Sequence, residues 1–134
     1  MAQSDPLFQL LYVSELAPGC GFEVVKEIVS VARAHNPAQQ VTGALLFDGE
    51  RFCQLLEGSQ AAVQALMQRI ERDPRHTAVQ LLFAGEIAGP RAVQRWLSGY
   101  CGPHQLDAFS APTGLRERAA VDAFVSVLRS ADTE

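Results

Sequence analysis

The chain has 134 residues, 48% of them apolar and 19% charged; a domain of that size buries about two-thirds of the surface its unfolded form exposes, which excludes a disordered tail. Eleven Lys and Arg against 15 Asp and Glu leave a net charge of -4, which repels a polyphosphate and argues against a nucleic-acid partner. No apolar run approaches the roughly 20 residues of a membrane span, and Met1 to Pro6 is polar without a signal-peptide core, so no membrane contact and a cytoplasmic location are expected.

Phe8 to Ser14 (FQLLYVS) is rich in strand formers and runs into the loop-like Leu16-Ala17-Pro18-Gly19, which predicts a first strand. From Phe22 to His35, the residues Phe22, Val25, Ile28, Val29 and Ala32 recur at helical spacing, with Asn36-Pro37 as the expected stop. Val41 to Phe47 and Arg51 to Leu56 are apolar runs around Asp48-Gly49-Glu50, the composition of a hairpin turn. Ser59 is the expected cap of a second helix whose Val63, Leu66, Met67 and Ile70 share a face and which Asp73-Pro74 closes. Val79 to Ile87 and Trp96 to Cys101 read as a fourth and a fifth strand. A segment punctuated at Gly102-Pro103 and Pro112-Thr113-Gly114 leads to a last amphipathic helix, Leu115 to Leu128. Cys20, Cys53 and Cys101 are odd in number and widely spaced, so neither a disulfide framework nor a metal pattern is expected.

This order predicts an α+β, ferredoxin-like βαββαββ sheet with a C-terminal helical extension, divided as residues 1–102 and 103–134. Right-handed crossovers place the two main helices on one face, over a ligand-sized cleft, with strands one and three expected as central parallel neighbours. The last helix must then pack on the opposite face, on an edge or on another chain. Phe109, Leu115, Val121, Phe124, Val125 and Leu128 give it an apolar stripe suited to internal packing or to a dimer or partner contact.

Period-two alternation groups Phe8, Leu10, Tyr12 and Ser14 on one side of the first strand and Phe52, Gln54 and Leu56 on one side of the third. Gln54 thus sits on an apolar row, where an unpaired amide costs roughly 2 kcal/mol or more, and Tyr12 on the adjacent strand is its natural partner. The pair serves equally to tie a core together or to face a ligand. Asn36 ends the first helix, as a cap or as a donor and acceptor toward the cleft. Arg69 and Asp73 stand four apart on the second helix, the spacing of a surface ion pair. Amide, phenol and guanidinium groups converging on an apolar cleft suit a flat heteroaromatic ligand with carbonyl and NH groups on one edge. No glycine-rich phosphate loop or nucleophile motif occurs, and His35, His76 and His104 lack metal-ligand spacing.

Four strings in order, LLYVSELA (Leu10 to Ala17), AHNPAQQVTGALLFDGERFCQLLEG (Ala34 to Gly58), RIERDPRHTAV (Arg69 to Val79) and a Trp at Trp96, resemble the BLUF family of blue-light sensors that use FAD. The resemblance runs from about Leu7 to Gly102. It implies a noncovalent FAD, with FMN or riboflavin as alternatives, whose ring inserts between the two helices. It implies Tyr12 as the light-switch tyrosine, Gln54 as the switching glutamine and Asn36 as the amide on the flavin's carbonyl and N3 edge. Arg69 addresses the opposite carbonyl, Asp73 orients Arg69 or the ring's polar edge, and His35 and His76 lie near the flavin. In such a switch an excited flavin takes an electron from the tyrosine and the amide of Gln54 changes its hydrogen bonds without turnover, so a photoreceptor rather than an enzyme is implied.

Two departures fall near the last strand: Ser98 stands where the family usually has Met, two residues after Trp96, and Val93 where it often has Phe. They bear on how a signal leaves Gln54 through Trp96 and Ser98. The thirty or so residues after the sensor suffice only for short helices, so output is expected to travel through an interface, hence a homo-oligomer and an unidentified downstream protein. The rival readings are a flavin-free ferredoxin-like interaction module, and a small acyl-phosphate hydrolase of the same fold.

Overall fold

The computed structural model describes residues 6–110 and 114–133; Met1 to Asp5 and the Pro112-Thr113 punctuation lie outside the described residues. The elements follow the expected order: β1 (Leu7–Leu16), α1 (Phe22–Ala38), β2 (Thr42–Phe47), β3 (Arg51–Gly58), α2 (Gln60–Arg72), β4 (His76–Ile87) and β5 (Trp96–Tyr100), then a short α3 (Pro103–Leu106), α4 (Glu117–Ser130) and a two-residue β6 (Asp132–Thr133). The six strands form one sheet in the order β4-β1-β3-β2-β5-β6. β1 and β3 are its central neighbours, but they run antiparallel, not parallel. Each right-handed crossover skips one strand position, so the strand that fills the gap runs against both of its neighbours.

The hairpin between β2 and β3 forms as its residues dictate. Asp48 Oδ1 accepts from the backbone N–H of Glu50 and of Arg51, and Gly49 adopts the left-handed φ of +107° that the turn requires. Ser59 caps α2 by accepting from the Ala62 N–H at 3.2 Å.

Two elements extend past their expected ends. α1 continues through Asn36-Pro37 to Ala38 because its last carbonyls are taken by the N–H groups of Gln39, Gln40 and Val41, with Gln40 in the left-handed conformation that usually marks a helix end at Gly. β4 begins at His76, three residues before Val79, because Leu16 and Glu15 of β1 continue the ladder to His76 and Thr77.

The sheet is covered on both faces, which explains why β1, β2 and β3 are nearly continuous apolar runs. Val25 and Ile28 of α1 and Val63 and Met67 of α2 pack with Phe8, Leu10, Tyr12, Phe52 and Leu56 on one face. On the other, Phe109 and Ala120, Val121 and Phe124 of α4 pack with Leu11, Val13, Cys53 and Leu55. The apolar stripe of the extension is therefore used inside the chain, with Phe109 and Phe124 fully buried. No helix among the described residues is long and apolar enough to cross a membrane.

Candidate functional site

Between α1 and α2, above the sheet, lies a cleft with about 570 Å³ of free space including its mouth. Ile28, Val31 and Ala32 of α1 and Leu66 and Ile70 of α2 supply apolar walls, and His35, Asn36, Gln54, Arg69, Asp73, Arg75 and His76 supply polar groups. Six residues singled out from the sequence thus share one cleft. Tyr12 stands behind Gln54, and Trp96 and Ser98 do not line the cleft.

Tyr12 and Gln54 are directly opposite in the β1–β3 register, and Gln54 Nε2 donates to the Tyr12 hydroxyl. Burial of Tyr12 pushes its phenol well above its ordinary pKa, which the Gln54 bond only partly offsets. The group therefore stays protonated throughout the working range of a protein.

Asn36 occupies the last turn of α1 and not a cap position. It is 1% exposed, and neither its amide nitrogen nor its amide oxygen has a hydrogen-bond partner. Arg69 Nη1 donates to His35 Nε2 at 2.8 Å; because a guanidinium only donates, Nε2 accepts and Nδ1 carries the ring proton. That Nδ1 is also buried and unpartnered. An orphaned buried amide costs about 1–3 kcal/mol, and such a cost is offset when a ligand supplies the missing donor and acceptor. Asn36 on the cleft wall therefore fits the carbonyl and NH edge of a flavin ring.

The expected Arg69–Asp73 ion pair does not form. Asp73 leaves the helix in an extended conformation as its C-cap, so its carboxylate turns to Arg75, which contacts it through Nε and through Nη2 at 2.7 Å. The hydrogen bonds from Arg75 hold the Asp73 carboxyl below its ordinary range. Arg75 belongs to the RDPRH string yet carries no assignment from the sequence, because nothing there shows that Asp73 would turn to it rather than back to Arg69. At the start of β4, His76 Nδ1 meets Ser14 Oγ at 3.0 Å and its ring packs against Phe52 and edge-on to Tyr12. Burial lowers its pKa, opposed by nearby Asp73.

On β5, Trp96 packs in the core on the cleft side, opposite Gly43, and Ser98 stands opposite Leu45, which in turn faces Gln54. Trp96 Nε1 and Ser98 Oγ are buried without a hydrogen-bond partner. Gly43 is required by the close approach of β2 to β3: at its φ of +133° a Cβ would lie 1.9 Å from the Leu55 carbonyl oxygen.

The fold and the cleft together define a ferredoxin-like α+β domain with a cleft between two helices that combines apolar walls and polar groups. The family model for BLUF, sensors of blue-light using FAD, matches residues 7–98. The chain belongs to this family of blue-light flavin sensors. It is 40% identical over 77 residues to the blue light- and temperature-regulated antirepressor BluF of Escherichia coli (strain K12), covering 57% of this chain and 19% of that protein. To the photoactivated adenylate cyclase subunit alpha of Euglena gracilis it is 35% identical over 81 residues, 60% of this chain and 8% of that one. The chain thus matches about a fifth or less of the length of these relatives. The BlsA ground-state structure shares the fold, with a TM-score of 0.77 at 23% identity over 96% of this chain and 91% of that one.

Proposed function

We propose that the chain is a cytoplasmic blue-light photoreceptor that binds FAD noncovalently between α1 and α2 and signals through a Tyr12-Gln54 hydrogen-bond switch. The observation that carries the reading is the Gln54 amide, bonded to the buried Tyr12 hydroxyl and at the same time lining a cleft whose Asn36 amide has no partner. Asn36, Arg69 and His35 would hold the ring's polar edges, with Arg75 fixing Asp73 at the rim and His76 closing the floor. When bound, the flavin supplies absorption of blue light and a strongly oxidising excited state.

The chain's own part is to present an amide with two unlike ends. In the structure Gln54 gives its NH2 to Tyr12; rotation reverses which end faces the cleft with no covalent change, whereas tautomerisation moves one proton from the amide nitrogen to its oxygen and exchanges donor for acceptor in place. Tyr12 stays a neutral hydroxyl, able to accept or donate as the amide requires. Trp96 and Ser98 act downstream of this exchange. In this reading residues 1–102 are the sensor and 103–134 the extension that passes the signal on, to a second copy of the chain or to a downstream protein. With Phe124 committed to the core, the contact uses surface outside the buried stripe, where Phe22, Leu81 and Tyr100 are exposed.

The test is a visible absorption spectrum of the purified protein in the dark and just after blue illumination, followed to recovery. A flavin spectrum that shifts red and returns is expected. Bleaching without a shift overturns the switch, and a folded protein that takes up no flavin on reconstitution supports the interaction module instead.

A further inference from the structure

The sheet face opposite the cleft holds a buried polar network apart from the residues above. On β3 the side chains alternate: Phe52 and Leu56 join the cleft-side core, with Gln54 between them, while Cys53 and Leu55 join the far core. Glu57, next on the far row, is 0% exposed. Its Oε2 accepts from Gln9 Nε2 at 2.8 Å and from the Ala92 N–H at 2.9 Å, and its Oε1 accepts from the Val93 N–H at 2.9 Å. Gln9 faces Glu57 from β1, and its Oε1 accepts from Arg118 Nη1 of α4 at 3.3 Å. Arg91 Nη1 donates to Thr42 Oγ1 and to the carbonyls of Gln40 and Glu57, holding the same segment to the ends of β2 and β3.

A carboxyl group in a core is costly unless donors meet it. Two of the three donors here are backbone N–H groups of the irregular stretch between β4 and β5. That stretch leads directly into Trp96 and Ser98. Glu57 therefore fixes the segment that leads into β5, and through Gln9 it also reaches α4.

We propose that Glu57 is the positioning residue through which a change at Gln54 reaches β5 and α4, a reading that rests on the photoswitch proposed above. Ser98 shares a cross-strand row with Gln54, but Leu45 stands between them, and two strand spacings amount to about 10 Å. On the near face the route therefore holds no polar link, only the apolar Leu45 side chain. The far face offers a polar one: Gln54 and Glu57 lie on one short strand with side chains on opposite sides, so a shift of β3 that follows the Gln54 amide carries the Glu57 carboxyl with it. Ala92, Val93 and Gln9 then follow.

The test uses the full chain loaded with FAD and compares amide hydrogen exchange in the dark and under blue light. Glu57→Gln replaces an acceptor oxygen with a donor, so one of the two backbone N–H groups loses its partner. The red shift should persist, while the light-minus-dark difference at residues 91–98 and in α4, severalfold in the wild type, should fall below about twofold. A merely structural Glu57 would raise exchange equally in dark and light and leave that difference intact, which overturns the proposal. So does a wild type that shifts red but shows no exchange difference in these segments. Arg118→Met, at an exposed position, should lose the difference in α4 alone; retention there overturns the α4 branch, and if Glu57→Gln does not fold this variant decides that branch, while the wild-type difference at residues 91–98 decides the β5 branch. A wild type with no red shift overturns the photoswitch reading and this proposal together.

Discussion

Gln54 of β3 donates to the hydroxyl of Tyr12 directly across the β1–β3 pair, and the two residues divide their surroundings unequally. Tyr12 is 0% exposed, whereas Gln54 reaches the cleft wall. The phenol is sealed in the core, and the amide is the member of the pair that a ligand in the cleft would meet. This arrangement suits a relay in which the amide responds to the ligand and the phenol sets the amide's resting orientation.

Tyr12→Phe removes the acceptor and leaves the Gln54 amide unpaired in a buried site, at a cost of about 1–3 kcal/mol in urea unfolding. Flavin should still bind, because Tyr12 does not line the cleft. The red shift should vanish. Gln54→Leu should likewise retain flavin, lose the red shift and move the dark spectrum, since it removes the amide from the cleft wall. A normal photocycle in either variant contradicts the assignment of the switch.

Asn36 offers a test in which two effects have opposite sign. Asn36→Leu removes a buried amide with no partner in the protein, so the flavin-free protein should be as stable as the wild type or more so. The same change deletes a donor and an acceptor from the cleft, and at about 1 kcal/mol for each hydrogen bond flavin affinity should fall roughly 10- to 100-fold. Thermal melts of the flavin-free protein and fluorescence titration with FAD measure the two effects separately. Equal losses in both would mean that Asn36 serves the fold and not the ligand.

The parts legible in the sequence were those governed by local pattern. Alternation along Phe8, Leu10 and Tyr12 and along Phe52, Gln54 and Leu56 assigned the cleft face, and Asp48-Gly49 marked the hairpin. The parts that escaped depend on what lies across the fold. The antiparallel sense of β1 and β3 is a property of two crossovers together. The end of α1 is set by Gln40 in a conformation that its side chain does not advertise. Glu57 had a signal, an acid on the row of Cys53 and Leu55, but only a sheet covered on both faces turns that row into a core. The apolar stripe of α4 fitted a partner surface as well as an internal one until the far core was seen.

Acid should weaken the protein in two separate windows. His76 has its pKa lowered from 6.5 by burial, so the unfolded chain takes up its proton first as pH falls; stability is full above 6.5 and is lost as pH drops through the lowered value. Asp73 has its pKa lowered from 3.8 by Arg75, so its contribution is full above 3.8 and is lost in more acid solution. Urea midpoints measured between about pH 5 and pH 8 should fall toward the acid end. His76→Gln, which keeps a polar partner for Ser14, should flatten that slope. An unchanged slope in the variant would assign the effect to another group.

Phe124 is 0% exposed and its ring lies 6.4 Å from that of Phe109, edge-on, in the core between α4 and the sheet. Phe124→Asp both empties this space, at about 3–5 kcal/mol for the loss of a buried aromatic, and buries a carboxylate among apolar groups that offer it no donor. The expected result is an insoluble protein or one whose urea midpoint falls far below that of the wild type. If the stripe instead served an intermolecular contact, the variant would keep the wild-type midpoint and lose mass in light scattering. Measuring both quantities on one sample separates the two roles, because core loss lowers the midpoint even for a monomer, whereas interface loss lowers the mass of a protein that still folds.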